Sequence, residues 1–313
     1  TAPGSMEVFP SRTCNLRCRM CNSMWSTSIR HDRVQREWNP EASSWIPDFS
    51  GGTPWPRRPE LVRDRLFREH AALRELKMLG GETMLAPEIG DIVRYLVEVG
   101  AARHIALTLV TNATTVRPPW LELLPAFERT TLVLSLDGVG PVYEYIRYPA
   151  RWVDVEANVR HLRRLNNVRL EAQITVQNYN ALSLVELFRY CDEQGLCISA
   201  HPLSLPAYLQ ATNMPPRARQ LAGDRVQAYL DADCRPEHRA ALQSVVTWLR
   251  GAPGVFDQEA FRTFMLFTND LDVSRGQDFR AVHRELFELS RDAGFRWTEE
   301  TRFARPPSTA GGC

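Results

Sequence analysis

The sequence has no surplus of either charge: 38 Lys and Arg stand against 37 Asp and Glu, a formal net charge of +1. It therefore carries no electrostatic footprint for nucleic acid or an anionic membrane, and a local run such as Arg57, Arg58 and Arg63 reads as solvated surface. It also lacks any stretch of 18 or more apolar residues, the length a spanning helix needs. Thr1–Phe9 do not have the charged-then-apolar layout of a signal peptide. The expected setting is cytoplasmic, with no nucleic-acid or membrane partner. Gly4, Ser5 and Met6 read as a tag remnant followed by a start methionine, so residues 1–5 are expected to be foreign. An evenly spread cysteine framework is missing too. Of the seven cysteines, Cys14, Cys18 and Cys21 crowd together while Cys191, Cys197, Cys234 and Cys313 are scattered, which fits a reducing compartment and a metal site better than a disulfide scaffold. What remains is an ordinary globular composition, 44% apolar and 24% charged over 313 residues, enough for one large domain or two modest ones.

Short β-branched or apolar runs bounded by turn residues predict six strands: Glu7–Ser11, Glu75–Leu79, Ile105–Val110, Leu132–Leu136, Leu170–Val176 and Cys197–Leu203. Between them Pro87–Val99, Pro118–Phe127, Val153–Leu165 and Ser183–Gln194 have the period and the N-terminal prolines or caps of amphipathic helices. Strand–helix alternation predicts a parallel sheet of α/β class, here a partial (β/α)6 barrel of TIM-like type over residues 6–203, with chemistry at the C-terminal strand ends. Trp38–Pro59, rich in tryptophan and proline, reads as a long loop packed by its own aromatics or as a lid over the barrel mouth. Beyond it, Arg217–Leu230, Glu237–Leu249 and Phe279–Ser290 predict a mostly helical C-terminal region over residues 204–302. Residues 303–313, with Pro306-Pro307 and Gly311-Gly312, read as a flexible tail.

The spacing Cys14-x3-Cys18-x2-Cys21 puts three thiolates on one tight loop after the first strand, the arrangement an iron–sulfur cluster uses. Three ligands for four irons leave one iron open. A zinc site would want a fourth ligand, for which His31 is the nearest candidate, and commonly a second paired unit, which is absent; buried free thiols are the third reading. Gly80-Gly81-Glu82 closes the second strand, where glycines permit close approach of backbone to a ligand and a carboxylate suits an ammonium group. Thr111-Asn112 and Ser135-Leu136-Asp137-Gly138 close the third and fourth strands and equally suit turns or caps. Cys191 falls in a predicted helix and Cys313 in the tail, and with Cys197 and Cys234 they read as buried or incidental thiols, so one cluster is expected.

Taken together, Thr13-Cys14-Asn15-Leu16-Arg17-Cys18-Arg19-Met20-Cys21, Gly80-Gly81-Glu82, Thr111-Asn112 and Ser135–Gly138 resemble the motifs of the radical S-adenosylmethionine superfamily. Tyr145–Pro149 and Phe267–Asp272 make the likeness greatest to its twitch-domain-containing members. The resemblance implies a [4Fe–4S] cluster on Cys14, Cys18 and Cys21 whose open iron takes the amino and carboxylate groups of S-adenosylmethionine. Glu82, after Gly80 and Gly81, would accept from the amino group, and Met20 would lie beside the adenine, where an aromatic is usual. Thr111, Asn112, Ser135 and Asp137 would stand near the ribose, the carboxylate or the substrate.

The chemistry so implied is reductive cleavage to a 5′-deoxyadenosyl radical that abstracts a substrate hydrogen, with an electron donor such as flavodoxin or ferredoxin. The protein would orient the reactants and exclude water. Tyr145, Arg147, Gln173, Gln177 and His201 are the candidate substrate residues, Arg147 as a clamp for a carboxylate or phosphate or as a partner of Asp137 or Glu144. Because the barrel starts at once, with no peptide-recognition domain ahead of it, a small molecule such as a sugar or aminocyclitol is the expected substrate. A peptide-maturation enzyme, and a non-catalytic electron-transfer or sensing protein, are the alternatives.

Overall fold

A computed structural model describes residues 3–40, 58–63, 67, 70–251 and 256–304. Most of the expected lid segment and all but the start of the expected tail, Cys313 included, lie outside these residues. Six strands, β1 (Ser5–Ser11), β2 (Glu75–Gly80), β3 (Ala106–Thr111), β4 (Arg129–Ser135), β5 (Val168–Val176) and β6 (Cys197–Pro202), form one sheet in the order β1-β2-β3-β4-β5-β6, with every neighbouring pair parallel. Such pairs need long crossovers. The helices α1 (Arg33–Trp38), α2 (Pro87–Glu98), α3 (Pro118–Leu123), α4 (Gly140–Ile146), α5 (Trp152–Leu162) and α6 (Leu184–Gln194) lie in these connections. After β6 come α7 (Pro216–Ala232), α8 (Arg239–Arg250), α9 (Gln258–Arg275) and α10 (Arg284–Asp292). The open α/β sheet of a partial barrel and the helical C-terminal region are both present.

Most boundaries follow from local chemistry. Proline opens α2, α3 and α7, where its missing N–H costs nothing. Gly195, at φ 65°, ends α6 in the left-handed region. Asp257 caps α9, its carboxylate accepting from the Ala260 N–H. β4 begins three residues earlier than the apolar run predicted, because Arg129, Thr130 and Thr131 pair with Ala106, Leu107 and Thr108 of β3. Helices α1, α4 and α9 were not expected. In α9 the signal was there: Phe261, Phe264, Met265, Thr268 and Leu271 repeat at helical spacing and are all buried.

The two faces of the sheet differ in composition, and the strand register shows how. Val8, Met78, Leu109, Leu132 and Leu170 stand in one cross-strand row, and Leu134, Ala172 and Ile198 in the next; all but half-buried Val8 are core residues. On the opposite face the rows read Glu7, Lys77, Thr108, Thr131, Arg169, then Val110, Val133, Glu171, Cys197, then Ser135, Gln173, Ser199, then Thr175, His201. Helices cover the apolar face. The polar face is the inside of the incomplete barrel.

The start of the expected tail is held in place. Asp270 of α9 accepts from the backbone N–H groups of Phe303 and Ala304 at 3.1 and 3.0 Å. It also accepts from the indole N–H of Trp38 at 2.7 Å. Trp38 is therefore the end of α1, half-buried and edge-on against Phe267, and not the start of a loop.

Candidate functional site

The cysteine loop leaves β1 at Ser11 and is pressed against the end of β2. A Cβ on Gly80 would fall 2.1 Å from the Ser11 carbonyl oxygen, and one on Gly81 2.4 Å from that of Thr13. The glycines thus permit an approach of backbone to backbone, with φ 148° at Gly80. From there the loop is pinned on several sides. Thr27 Oγ1 accepts from the Cys14 N–H at 3.2 Å, Ser28 Oγ donates to the Cys14 carbonyl at 2.6 Å, and Ser26 Oγ donates to that of Leu16 at 2.7 Å. The N–H groups of Arg17 and Arg19 donate to the Tyr148 and Ile146 carbonyls at 2.7 and 2.9 Å.

Cys18 is buried and Cys14 and Cys21 are half-buried. Burial, and then the nearby Cys18 sulfur, push the Cys14 thiol up to about 12, and Cys21 is raised by the same causes. Three thiols so placed are poor thiolates alone and good ones beside iron, whose positive charge reverses the penalty. The donor set fits a [4Fe–4S] cluster. Among the described residues no group of three or more His, Cys, Asp or Glu is gathered around a point for a single metal ion. His31, the candidate fourth zinc ligand, ends the helical turn Thr27–Arg30. Met20 is half-buried against the core.

Glu82 is 1% exposed and is held entirely by neutral donors. Its Oε1 accepts from Thr111 Oγ1 at 2.6 Å and from the Met84 N–H at 3.0 Å, and its Oε2 accepts from the Asn112 N–H at 2.6 Å. Burial raises its pKa against the downward pull of these bonds. Oε2 keeps an unused lone pair. Thr111 and the Asn112 backbone therefore orient the carboxylate. The Asn112 side chain reaches the cysteine loop, donating to Asn15 Oδ1 at 3.0 Å.

The remaining expected residues divide. Asp137 is fully buried, and its Oδ2 takes both Nε and Nη2 of Arg147 at 2.8 and 2.7 Å while Oδ1 takes the Thr175 N–H at 2.8 Å. Two of the Arg147 nitrogens are thereby held on Asp137, the one it takes of the two partners considered for it, and Glu144 accepts instead from the Trp152 N–H. Tyr145 is buried, with its hydroxyl donating to Asp272 Oδ1 at 2.7 Å and its ring under the Arg19 guanidinium at 3.7 Å. Gln177 is buried, with Nε2 turned to the Thr175 carbonyl and Oε1 without a partner. Ser135, Gln173 and His201 lie on the polar face, where His201 Nε2 pairs with Ser199 Oγ at 2.9 Å. Of the scattered thiols, Cys191 is buried in α6, Cys234 is buried after α7, and Cys197 on β6 accepts from Arg169 Nη2 at 2.9 Å.

Sequence reasoning missed the residues that brace the loop from outside. Gln35 of α1 donates from Nε2 to the carbonyls of Cys18 and Cys21 at 2.7 and 2.9 Å. Its Oε1 is in turn gripped by Arg275 of α9, which also meets Asp32 Oδ2 at 3.2 Å. Arg19, wholly buried, crosses to Asp272 and Gln277. The α9 helix is thus part of the support of the site.

Comparison with known proteins follows the same lines. The model of the radical SAM superfamily matches residues 8–190, and a search among curated proteins finds no match. Among solved structures, Streptococcus suis SuiB bound to S-adenosylmethionine is similar at 16% identity over 74% of this chain and 45% of that one, with a TM-score of 0.45. Native anSMEcpe with bound AdoMet is similar at 16% identity over 73% and 61%, with a TM-score of 0.51. TsrM from Kitasatospora setae, a radical S-adenosylmethionine methyltransferase with cobalamin and a [4Fe–4S] cluster bound, is similar at 12% identity over 74% and 54%, with a TM-score of 0.36. The chain spans about half the length of these proteins, and the likeness to anSMEcpe is one of fold. No helix among the described residues is long and apolar enough to cross a membrane.

Proposed function

The chain belongs to the radical SAM superfamily, and from that premise we propose that it cleaves S-adenosylmethionine reductively at a [4Fe–4S] cluster on Cys14, Cys18 and Cys21 and takes a hydrogen atom from a small polar molecule such as a sugar or aminocyclitol intermediate. Bound together, cluster and S-adenosylmethionine supply the 5′-deoxyadenosyl radical. Everything else is the work of this chain. The observation that carries the reading is Glu82: a buried carboxylate beside the cysteine loop, fixed by three neutral donors, with no cation hydrogen-bonded to it among the described residues and one acceptor position free. An ammonium group placed there completes its charge balance and is oriented by it. Met20 borders the space for an adenine, and Ser135 stands at the strand end nearest Asp137 for a ribose or carboxylate.

The substrate class rests on the polar face of the sheet. Thr108, Thr131, Gln173, Ser199 and His201 give it hydroxyl, amide and imidazole groups in successive rows, suited to a substrate rich in hydroxyl or amino groups. Within the superfamily this reading places the chain with the twitch-domain-containing proteins. Its two carrying segments meet in space, Tyr145 of the one bonding Asp272 of the other. A reducing, cytoplasmic setting and a flavodoxin- or ferredoxin-type donor accompany it.

The test is anaerobic reconstitution, reduction and incubation with S-adenosylmethionine. 5′-Deoxyadenosine is expected, and its formation should rise with polyol or aminocyclitol substrates. An intact [4Fe–4S] cluster that yields none, with or without substrates, overturns the activity. Stimulation by peptides alone overturns the substrate class.

A further inference from the structure

Arg147 is 9% exposed, and its position is set twice over. Its own stretch of backbone docks on the cysteine loop through the Ile146 and Tyr148 carbonyls, which accept from the Arg19 and Arg17 N–H groups. Its Nε and Nη2 are held on Asp137, itself fixed by the Thr175 N–H. That pairing leaves Nη1 over, and Nη1 is directed at a sulfur, 3.8 Å from Cys18 Sγ.

We propose that Arg147, oriented by Asp137, sets the reduction potential of the cluster through Cys18. The proposal rests on the reading of Cys18 as a cluster ligand. Reduction takes one electron from an external low-potential donor, of the flavodoxin or ferredoxin class, and adds one negative charge shared by the irons and their thiolates. No proton moves and no bond to protein forms or breaks. A cation and N–H donor at a thiolate stabilises the more negative, reduced state. Asp137, on the far side of the same guanidinium, opposes it. The pair is then an adjustable dipole: Arg147 raises the potential and Asp137 limits how far.

The experiment is an anaerobic redox titration of the reconstituted full-length protein, read by the electron paramagnetic resonance signal of the reduced cluster, with iron and sulfide content measured in parallel. In Arg147→Gln the ratio of reduced to oxidised cluster at a given potential is expected to fall about tenfold, equivalent to about 59 mV for one electron. Asp137→Asn is expected to raise the ratio, because it leaves the cation uncompensated, and Arg147→Lys to restore most of the wild-type value. Shifts of opposite sign at two bonded residues are not what a loosened fold produces. The proposal is overturned if Arg147→Gln with full cluster content titrates with the wild type, or if it and Asp137→Asn shift together. Should Arg147→Gln take up no cluster, Asp137→Asn decides, and an unmoved or lowered potential there overturns it. A wild-type protein that takes no cluster overturns the ligand reading and this proposal with it, whereas unmoved potentials on an intact cluster overturn this proposal alone.

Discussion

The ends of β2 and β4 each carry a fully buried carboxylate, and the two are treated in opposite ways. Asp137 faces the guanidinium of Arg147 at 2.7 Å. Glu82 is hydrogen-bonded by a hydroxyl and two backbone N–H groups, and the Arg147 charge reaches it as the least of the downward pulls. Burial pushes both up; the counter-pull on Asp137 comes first from Arg147, and that on Glu82 from its neutral hydrogen bonds. A buried charge with no counter-charge bonded to it is costly, so on the proposed function Glu82 receives a cation from outside while Asp137 has its partner built in. On that reading the one is a reception site and the other is framework, although both follow a strand and both resemble cofactor-binding motif positions.

The strongest way to break this contrast is Asp137→Ala. It strands the Arg147 cation and is expected to cost about 3–5 kcal/mol in chemical denaturation; a loss under 1 kcal/mol would show that the pair is not framework. Glu82→Gln should instead act on the ligand, weakening S-adenosylmethionine binding about 100-fold, or about 2.7 kcal/mol, as read by calorimetry on the anaerobic protein. Its cost to the fold should be smaller, about 1–2 kcal/mol, because the new amide turns a donor toward the Met84 or Asn112 N–H. Equal damage to fold and affinity would merge the two carboxylates into one class.

Acid sharpens the comparison further. With its pKa raised, Glu82 takes a proton above the usual carboxylate range, so affinity for a cationic group falls as pH is lowered, and Glu82→Gln should flatten that dependence. His283 also titrates against the fold. Burial, then Arg19, push it down to about 3, so below its unfolded value of about 6.5 the unfolded chain binds the proton and the folded chain does not. Stability is present at neutral pH and is lost as pH falls, by about 2 kcal/mol between pH 7 and 5. His283→Phe, with a ring to keep the stacking on Tyr145 and Phe279, should lose that much less when Tm is followed across the interval. The smallest effect belongs to Thr111→Val, which deletes one of the three bonds on Glu82 and should weaken S-adenosylmethionine binding about fivefold, or about 1 kcal/mol.

Strands, crossovers and the cysteine loop were legible because each is written in neighbouring residues: β-branched runs for β3 and β5, proline before α2 and α7, three thiols within one loop. Glu82 was legible for the same reason. Arg147, by contrast, was left between a substrate clamp and a partner of Asp137 or Glu144, and only the folded chain shows it on Asp137. Gln35 and Arg275 left no trace at all, for their contact joins positions 240 residues apart and two polar residues at that separation have no spacing to recognise. Tyr145 and Asp272 were noticed as members of motifs, yet that they bond to each other is visible only in three dimensions.

The brace from Arg275 through Gln35 also orders events during synthesis. The cysteines emerge from the ribosome early, but the residue that fixes Gln35 on their carbonyls follows 240 residues after Gln35 itself, roughly 10–50 s later at about 5–20 residues per second. Through that interval the three thiols hang on an unbraced loop, open to oxidation and to the wrong metal. With Cys14, Cys18 and Cys21 as the ligands of the proposed function, loading with iron and sulfur is expected at the end of translation or after it, so that the iron–sulfur supply of a cell making this protein quickly would have to keep pace with completed chains rather than with nascent ones.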